Sequence, residues 1–171
     1  MTQEKIKTIF IMSFLGSIFA LFGCNNERSK VEEKPDSVEF TIAKRITINE
    51  LEGQLTLLQK GKTEFDFIGI TSNGIDCIYF VKEGNNFQLE FEAMGADQLP
   101  YIDSLKEYAG TNAIKYVETT YGNKPQYNSN EPAPVIRLLI NANLADASSI
   151  GQDIEFNMFG NNSSTVYDVV P

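Results

Sequence analysis

Histidine and tryptophan are both absent from this chain, and cysteine occurs only twice. Without histidine neither a Ser-His-Asp nor a Cys-His triad can be built, and two cysteines cannot fill the usual His/Cys shell of a zinc ion. No serine is followed three positions later by lysine, which removes the Ser-Lys nucleophile as well. Positive charge is scarce: 14 Lys and Arg stand against 23 Asp and Glu, a net charge of −9. Such acidity repels nucleic acid and anionic lipid headgroups as direct partners and favours a protein with a basic surface.

What is present begins at the N-terminus. Lys5 and Lys7 precede an apolar run from Ile9 to Phe22, and Gly23 and Cys24 follow it. That run falls short of the ~20 apolar residues that span a bilayer, and its positive start and small exit residue are those of an export signal. Leu21, Gly23 and Cys24 resemble the lipobox of bacterial lipoproteins, with Phe22 departing from the usual small residue. The resemblance implies cleavage before Cys24, acylation of its thiol, and a domain held outside the cytoplasm against a membrane of the bacterial envelope. It covers the export segment alone. Removing residues 1–23 would take away two lysines and Glu4, leaving the remainder one charge more negative.

Residues 24–39 hold the acylatable cysteine and a polar stretch too poor in apolar groups to offset its ordering entropy, so they are expected to act as a tether. The 25–39 stretch would reach ~50 Å fully extended and ~20 Å as a coil. A single globular domain is expected over 40–171, a length suited to one core.

Within it, hydrophobic periodicity predicts an α+β fold: a mixed or antiparallel sheet of about five strands with helices packed on one face. A strand through Phe40 to Ile48 leads into a helix carrying Ile48, Leu51, Leu55 and Leu58, with Asn49 as N-cap and Gly61 as its stop. Glu64–Thr71 and Ile75–Lys82 are expected to pair across a two-residue Asn73-Gly74 hairpin. In the third strand Phe87, Leu89, Phe91 and Ala93 alternate with Gln88, Glu90, Glu92 and Met94. A helix capped by Asp97 and stopped at Gly110, strands over 114–121 and 135–141, a helix opened by Asn143 and ending before Gly160, and a closing segment over 166–170 complete the order.

Two motifs are tempting and fail. Gly61-Lys62-Thr63 lacks the glycine that a phosphate loop needs five positions earlier, where Thr56 stands, and Gly69-Ile70-Thr71-Ser72-Asn73-Gly74 misses the nucleophile-elbow spacing. Glu90 and Glu92, two apart on one strand face, would be ~7 Å apart from strand rise alone, a separation within reach of an inverting glycosidase. Nothing else in the chain builds a sugar cleft, and a solvated acidic face accounts for them. No run matches a calcium loop, and no cofactor is called for. Cys77, in the apolar context Ile75-Asp76-Cys77-Ile78-Tyr79-Phe80, is expected to be a small buried residue rather than a reactive thiol.

The residues singled out for recognition are Tyr121, Lys124 and Tyr127, in the Pro- and Asn-rich loop 121–134, together with the acidic Glu90 and Glu92. Rigid aromatic surface with low entropy loss suits a protein-binding loop. The expected function is therefore a non-catalytic, membrane-anchored protein-binding domain, one form of which is an inhibitor or immunity-type protein against a basic target. A structural or assembly lipoprotein is the main alternative, and a hydrolase working through carboxylates alone the more distant one.

Overall fold

The computed structural model describes residues 44–170. The export-like segment, Cys24 and the tether fall outside the described residues. Among those described, seven strands form one antiparallel sheet and three α-helices pack on one of its faces. The strands are β1 (Arg45–Thr47), β2 (Phe67–Thr71), β3 (Ile78–Glu83), β4 (Asn86–Glu92), β5 (Lys115–Thr119), β6 (Val135–Ala142) and β7 (Val166–Val170). The helices are α1 (Leu51–Gln59), α2 (Leu99–Thr111) and α3 (Leu144–Asn157). Spatial order across the sheet is β1-β7-β2-β3-β4-β6-β5. The α+β class holds; the sheet has seven strands rather than about five, because the strand expected over 40–48 joins it at Arg45–Thr47 and the closing segment over 166–170 is itself a strand, paired with both β1 and β2.

Alternation decides which side is core. Ile68, Ile70, Ile78, Phe80, Phe87, Leu89, Phe91, Ile136 and Leu138 point to the helices and are buried. Leu51, Leu55 and Leu58 of α1, Ile102, Leu105 and Ala109 of α2, and Ala147 and Ile154 of α3 meet them in one cluster. Gly151 lets α3 approach the sheet: a Cβ there would lie 2.5 Å from the Phe80 ring and 3.2 Å from Leu51. Among the described residues no helix is long and apolar enough to cross a membrane.

Local signals were moved in four places. The N-cap ahead of α1 is Thr47, which forms a capping box with Glu50 before a 3₁₀ turn at Ile48–Glu50, so Asn49 lies inside that turn. Ahead of α2, Gln98 rather than Asp97 does the capping, accepting from the Gly95 N–H at 2.7 Å. The end of α2 is a Schellman motif in which Ala113, at φ 55°, takes the left-handed position expected of Gly110, and the Ile114 N–H reaches the Ala109 carbonyl at 2.8 Å.

The fourth is the hairpin. Asn73-Gly74 sits in a wider loop between Thr71 and Ile78, because Asp76 captures the turn: its Oδ1 accepts from Thr71 Oγ1 at 2.6 Å and the Ser72 N–H at 2.8 Å. The two-residue turn is at Gly84-Asn85 instead, where Glu83 pairs with Asn86 and Gly84 has φ 61°. A glycine at the first central position with a positive φ is the sign pattern of a type II′ turn. As expected, Gly61 and Gly160 end their helices with positive φ, and the Asn143 side chain caps α3 by accepting from the Asp146 N–H at 3.0 Å.

Candidate functional site

The sheet face turned away from the helices carries a trough of about 510 Å³. Phe67, Tyr79, Val81 and Val135 form its apolar walls; Glu90, Glu92, Tyr121, Asn123 and Arg137 supply the polar groups. Strand parity explains the placement, since Phe67 pairs with Val81, Tyr79 with Glu90, and Glu90 with Arg137 across three neighbouring ladders. Phe67 meets Tyr79 edge-on with ring centroids 6.1 Å apart, and Phe65 stacks on Phe67 at 5.3 Å.

The ring of Tyr79 lies over bare backbone. Gly69 is its cross-strand partner, and a Cβ on Gly69 would stand 2.7 Å from the ring. A side chain at 69 would thus push the ring from its seat. Burial raises the Tyr79 phenol pKa, and the neighbouring Cys77 and Glu92 add to the rise, so the ring stays neutral throughout the physiological range.

Arg137 ties the polar end together. It donates from Nε to Glu90 Oε1, from Nη1 to Glu83 Oε1 at 3.1 Å, and from Nη2 to the Tyr121 hydroxyl at 3.1 Å. Tyr121 in turn donates to Glu90 Oε2 at 2.7 Å. Both oxygens of Glu90 are thereby engaged, and the residue is 6% exposed. This corrects the expectation of a solvated acidic face: the alternation along β4 is as expected, but Glu90 is buried under an ion pair. Glu92 is held differently, both its oxygens accepting from the Asn123 amide at 3.0 and 3.2 Å. Burial and then the Glu90 carboxylate raise the Tyr121 phenol pKa, keeping it a proton donor in this network.

Of the residues singled out from sequence, Tyr121, Glu90 and Glu92 meet in the trough. Lys124 and Tyr127 do not line it. Lys124 Nζ reaches the Asn130 carbonyl at 3.3 Å within the loop, and the Tyr127 hydroxyl donates to the Ala93 carbonyl at 3.2 Å. The 121–134 loop is also pinned by the Gln126 N–H to the Met94 carbonyl at 2.9 Å, so it is fastened to the sheet margin. Sequence reasoning missed Arg137, Phe67 and Tyr79. A lone guanidinium between apolar neighbours in Val135-Ile136-Arg137-Leu138-Leu139 was the available sign that a carboxylate waited opposite.

A second polar cluster lies between the sheet and α3. Glu155 is fully buried on the core side of α3, and Asp76 is 1% exposed. The Asn161 amide bridges them, donating to Asp76 Oδ2 at 2.7 Å and Glu155 Oε2 at 2.8 Å. Tyr167 lies beside Glu155, yet neither Glu155 Oε1 nor Tyr167 Oη completes a hydrogen bond. Burial pushes Glu155 up to about 8, with Asp76 contributing and Asn161 opposing. Burial acts on Asp76 too, but bonds from Ser72, Thr71 and Asn161 outweigh it and hold that carboxyl below its usual value.

Cys77 follows Asp76 and is half-buried outside the core cluster, a correction to the buried core position expected for it. Burial nonetheless pushes its thiol up to about 11. Among the described residues no three His, Cys, Asp or Glu side chains gather as a metal site. No protein-family model, curated protein or solved structure matches this chain.

Proposed function

We propose that this chain is a lipid-anchored binding protein of the bacterial envelope, attached through Cys24 and engaging another protein through the open face of its sheet. One observation carries the binding half of this reading: a sheet face on which no helix among the described residues packs, with a 510 Å³ trough into which three of the residues singled out from sequence converge. Walls of aromatic and aliphatic side chains around a few fixed polar groups are the ordinary make-up of a recognition site. Around the trough Val117 and Tyr121 remain about half exposed, extending the apolar surface beyond it.

The locked state of Glu90 favours binding over catalysis. A general base needs an oxygen free to take a proton, and here Arg137 and Tyr121 hold both. The anchoring half rests on the lipobox-like Leu21, Gly23 and Cys24, and the net charge of −9 favours a basic partner by speeding encounter.

Two measurements test the halves separately. Cys24→Ser should abolish incorporation of a labelled fatty acid; unchanged labelling defeats the anchor. For the open face, Val81→Asp places an unpaired charge in the trough wall and should remove a partner that co-purifies with the wild-type protein from envelope extract. A partner retained equally by both proteins places the interface elsewhere.

A further inference from the structure

The trough has a charge that its own residues leave uncompensated. Two carboxylates, Glu90 and Glu92, line its polar end and a third, Glu83, pairs with Arg137, which is the one cation lining the trough among the described residues. Arg137 bonds Glu83 and Glu90, while Glu92, among the described residues, is held only by the neutral Asn123 amide. Glu92 lines the same trough as the aromatic side chains of Phe67 and Tyr79, which meet edge-on. Carboxylate beside aromatic faces is the environment that attracts an organic cation.

Resting on the binding reading above, we propose that the trough takes a lysine side chain presented by the partner protein, its ammonium seated at Glu92 and its methylene stem lying on Phe67 and Tyr79. Arginine fits less well. A guanidinium favours a two-pronged bond to a carboxylate, and the oxygens of Glu92 already accept from Asn123 while those of Glu90 are taken by Arg137 and Tyr121. An ammonium needs a single approach to one remaining lone pair, and its stem suits apolar walls. At 510 Å³ the space also admits the residues on either side of the lysine, so an extended segment rather than an isolated side chain is the natural occupant.

The test is amide chemical-shift titration of the isotope-labelled full chain, with Nα-acetyl-lysine amide as probe and its neutral and anionic counterparts, Nα-acetyl-norleucine amide and hexanoate, beside it. The lysine probe should move the amides of Phe67, Tyr79, Val81 and Glu92 saturably. The norleucine probe should bind at least fivefold more weakly, and Glu92→Gln should weaken the lysine probe by a similar factor without altering the norleucine titration. Gly69→Ala, which displaces the Tyr79 ring without touching any charge, should weaken both. If norleucine amide or hexanoate binds the trough as tightly as the lysine probe, the cation assignment is overturned while the trough remains a binding site. If no probe moves the trough amides, the cation assignment and the trough reading fall together.

Discussion

Replacing Glu155 by glutamine should remove a pH dependence built into the core. The carboxyl has an ordinary value of 4.5 and is pushed to about 8 in the fold. The folded state therefore holds a proton that the unfolded chain releases between those values. Stability contributed by this group is fully present below about pH 4.5 and is lost as pH rises toward 8, with no further change above it. At ~1.4 kcal/mol per pKa unit the shift sets a ceiling of roughly 5 kcal/mol. Asn161 stays hydrogen-bonded to the ionised form and local opening relieves part of the cost, so a loss of about 2–4 kcal/mol is expected.

The groups facing Glu155 do not mask the effect. Tyr167 is raised and stays neutral, burial pushes Cys77 up to about 11, and Asp76 lies below its usual value and so acts only in the acid limb, where its stabilisation is lost as pH falls. Urea unfolding at half-unit steps from pH 4.5 to 9 should show wild-type stability declining across that range. Glu155→Gln should give a nearly flat profile, level with or slightly below wild type at pH 5 and above it at pH 9. A wild-type profile flat between pH 5 and 8, or a glutamine variant with the same slope as wild type, would refute the reasoning.

Gly151→Ala should destabilise the protein by about 1–3 kcal/mol, read from the urea midpoint, because the new methyl meets the Phe80 ring and Leu51 where α3 lies closest to the sheet. Ala113→Gly should act in the opposite direction, raising stability by up to ~1 kcal/mol, since it relieves a left-handed alanine in a Schellman motif; a lower melting temperature would contradict this. Cys77 should react slowly with a thiol reagent at pH 8 and at the rate of a free cysteine once urea is added, in keeping with a thiol pushed up to about 11.

Helix faces, the alternation of Phe87, Leu89 and Phe91, the cap at Asn143 and the stops at Gly61 and Gly160 were legible in the sequence because each depends on neighbours within a turn or a strand. What escaped depends on distant partners. The ring of bonds around Glu90 requires Arg137, 47 residues on, and Tyr121, 31 residues on. Asn73-Gly74 misled because Asp76 lies within a few residues and its carboxylate offers the backbone a stronger alternative than a tight turn. Glu155 was invisible for the reverse reason: an acidic residue on a helix is ordinarily at the surface, and only the partnership with Asn161 and protonation admit it to the core.

The place of β7 has a consequence for how the chain folds. This strand, formed from Val166–Val170, lies between β1 and β2, and among the described residues β1 joins the sheet through β7 alone. Arg45 and Asp168 face each other across that ladder, 123 residues apart. A ribosome or a translocation channel delivers residue 45 long before residue 166, so β1 waits unpaired while β2, β3 and β4 can zip together from local turns. Closing so long a loop carries an entropic cost that must be met before its contacts form. The outer third of the sheet is therefore assembled last, and a chain arrested short of Val166 lacks two strands, not one.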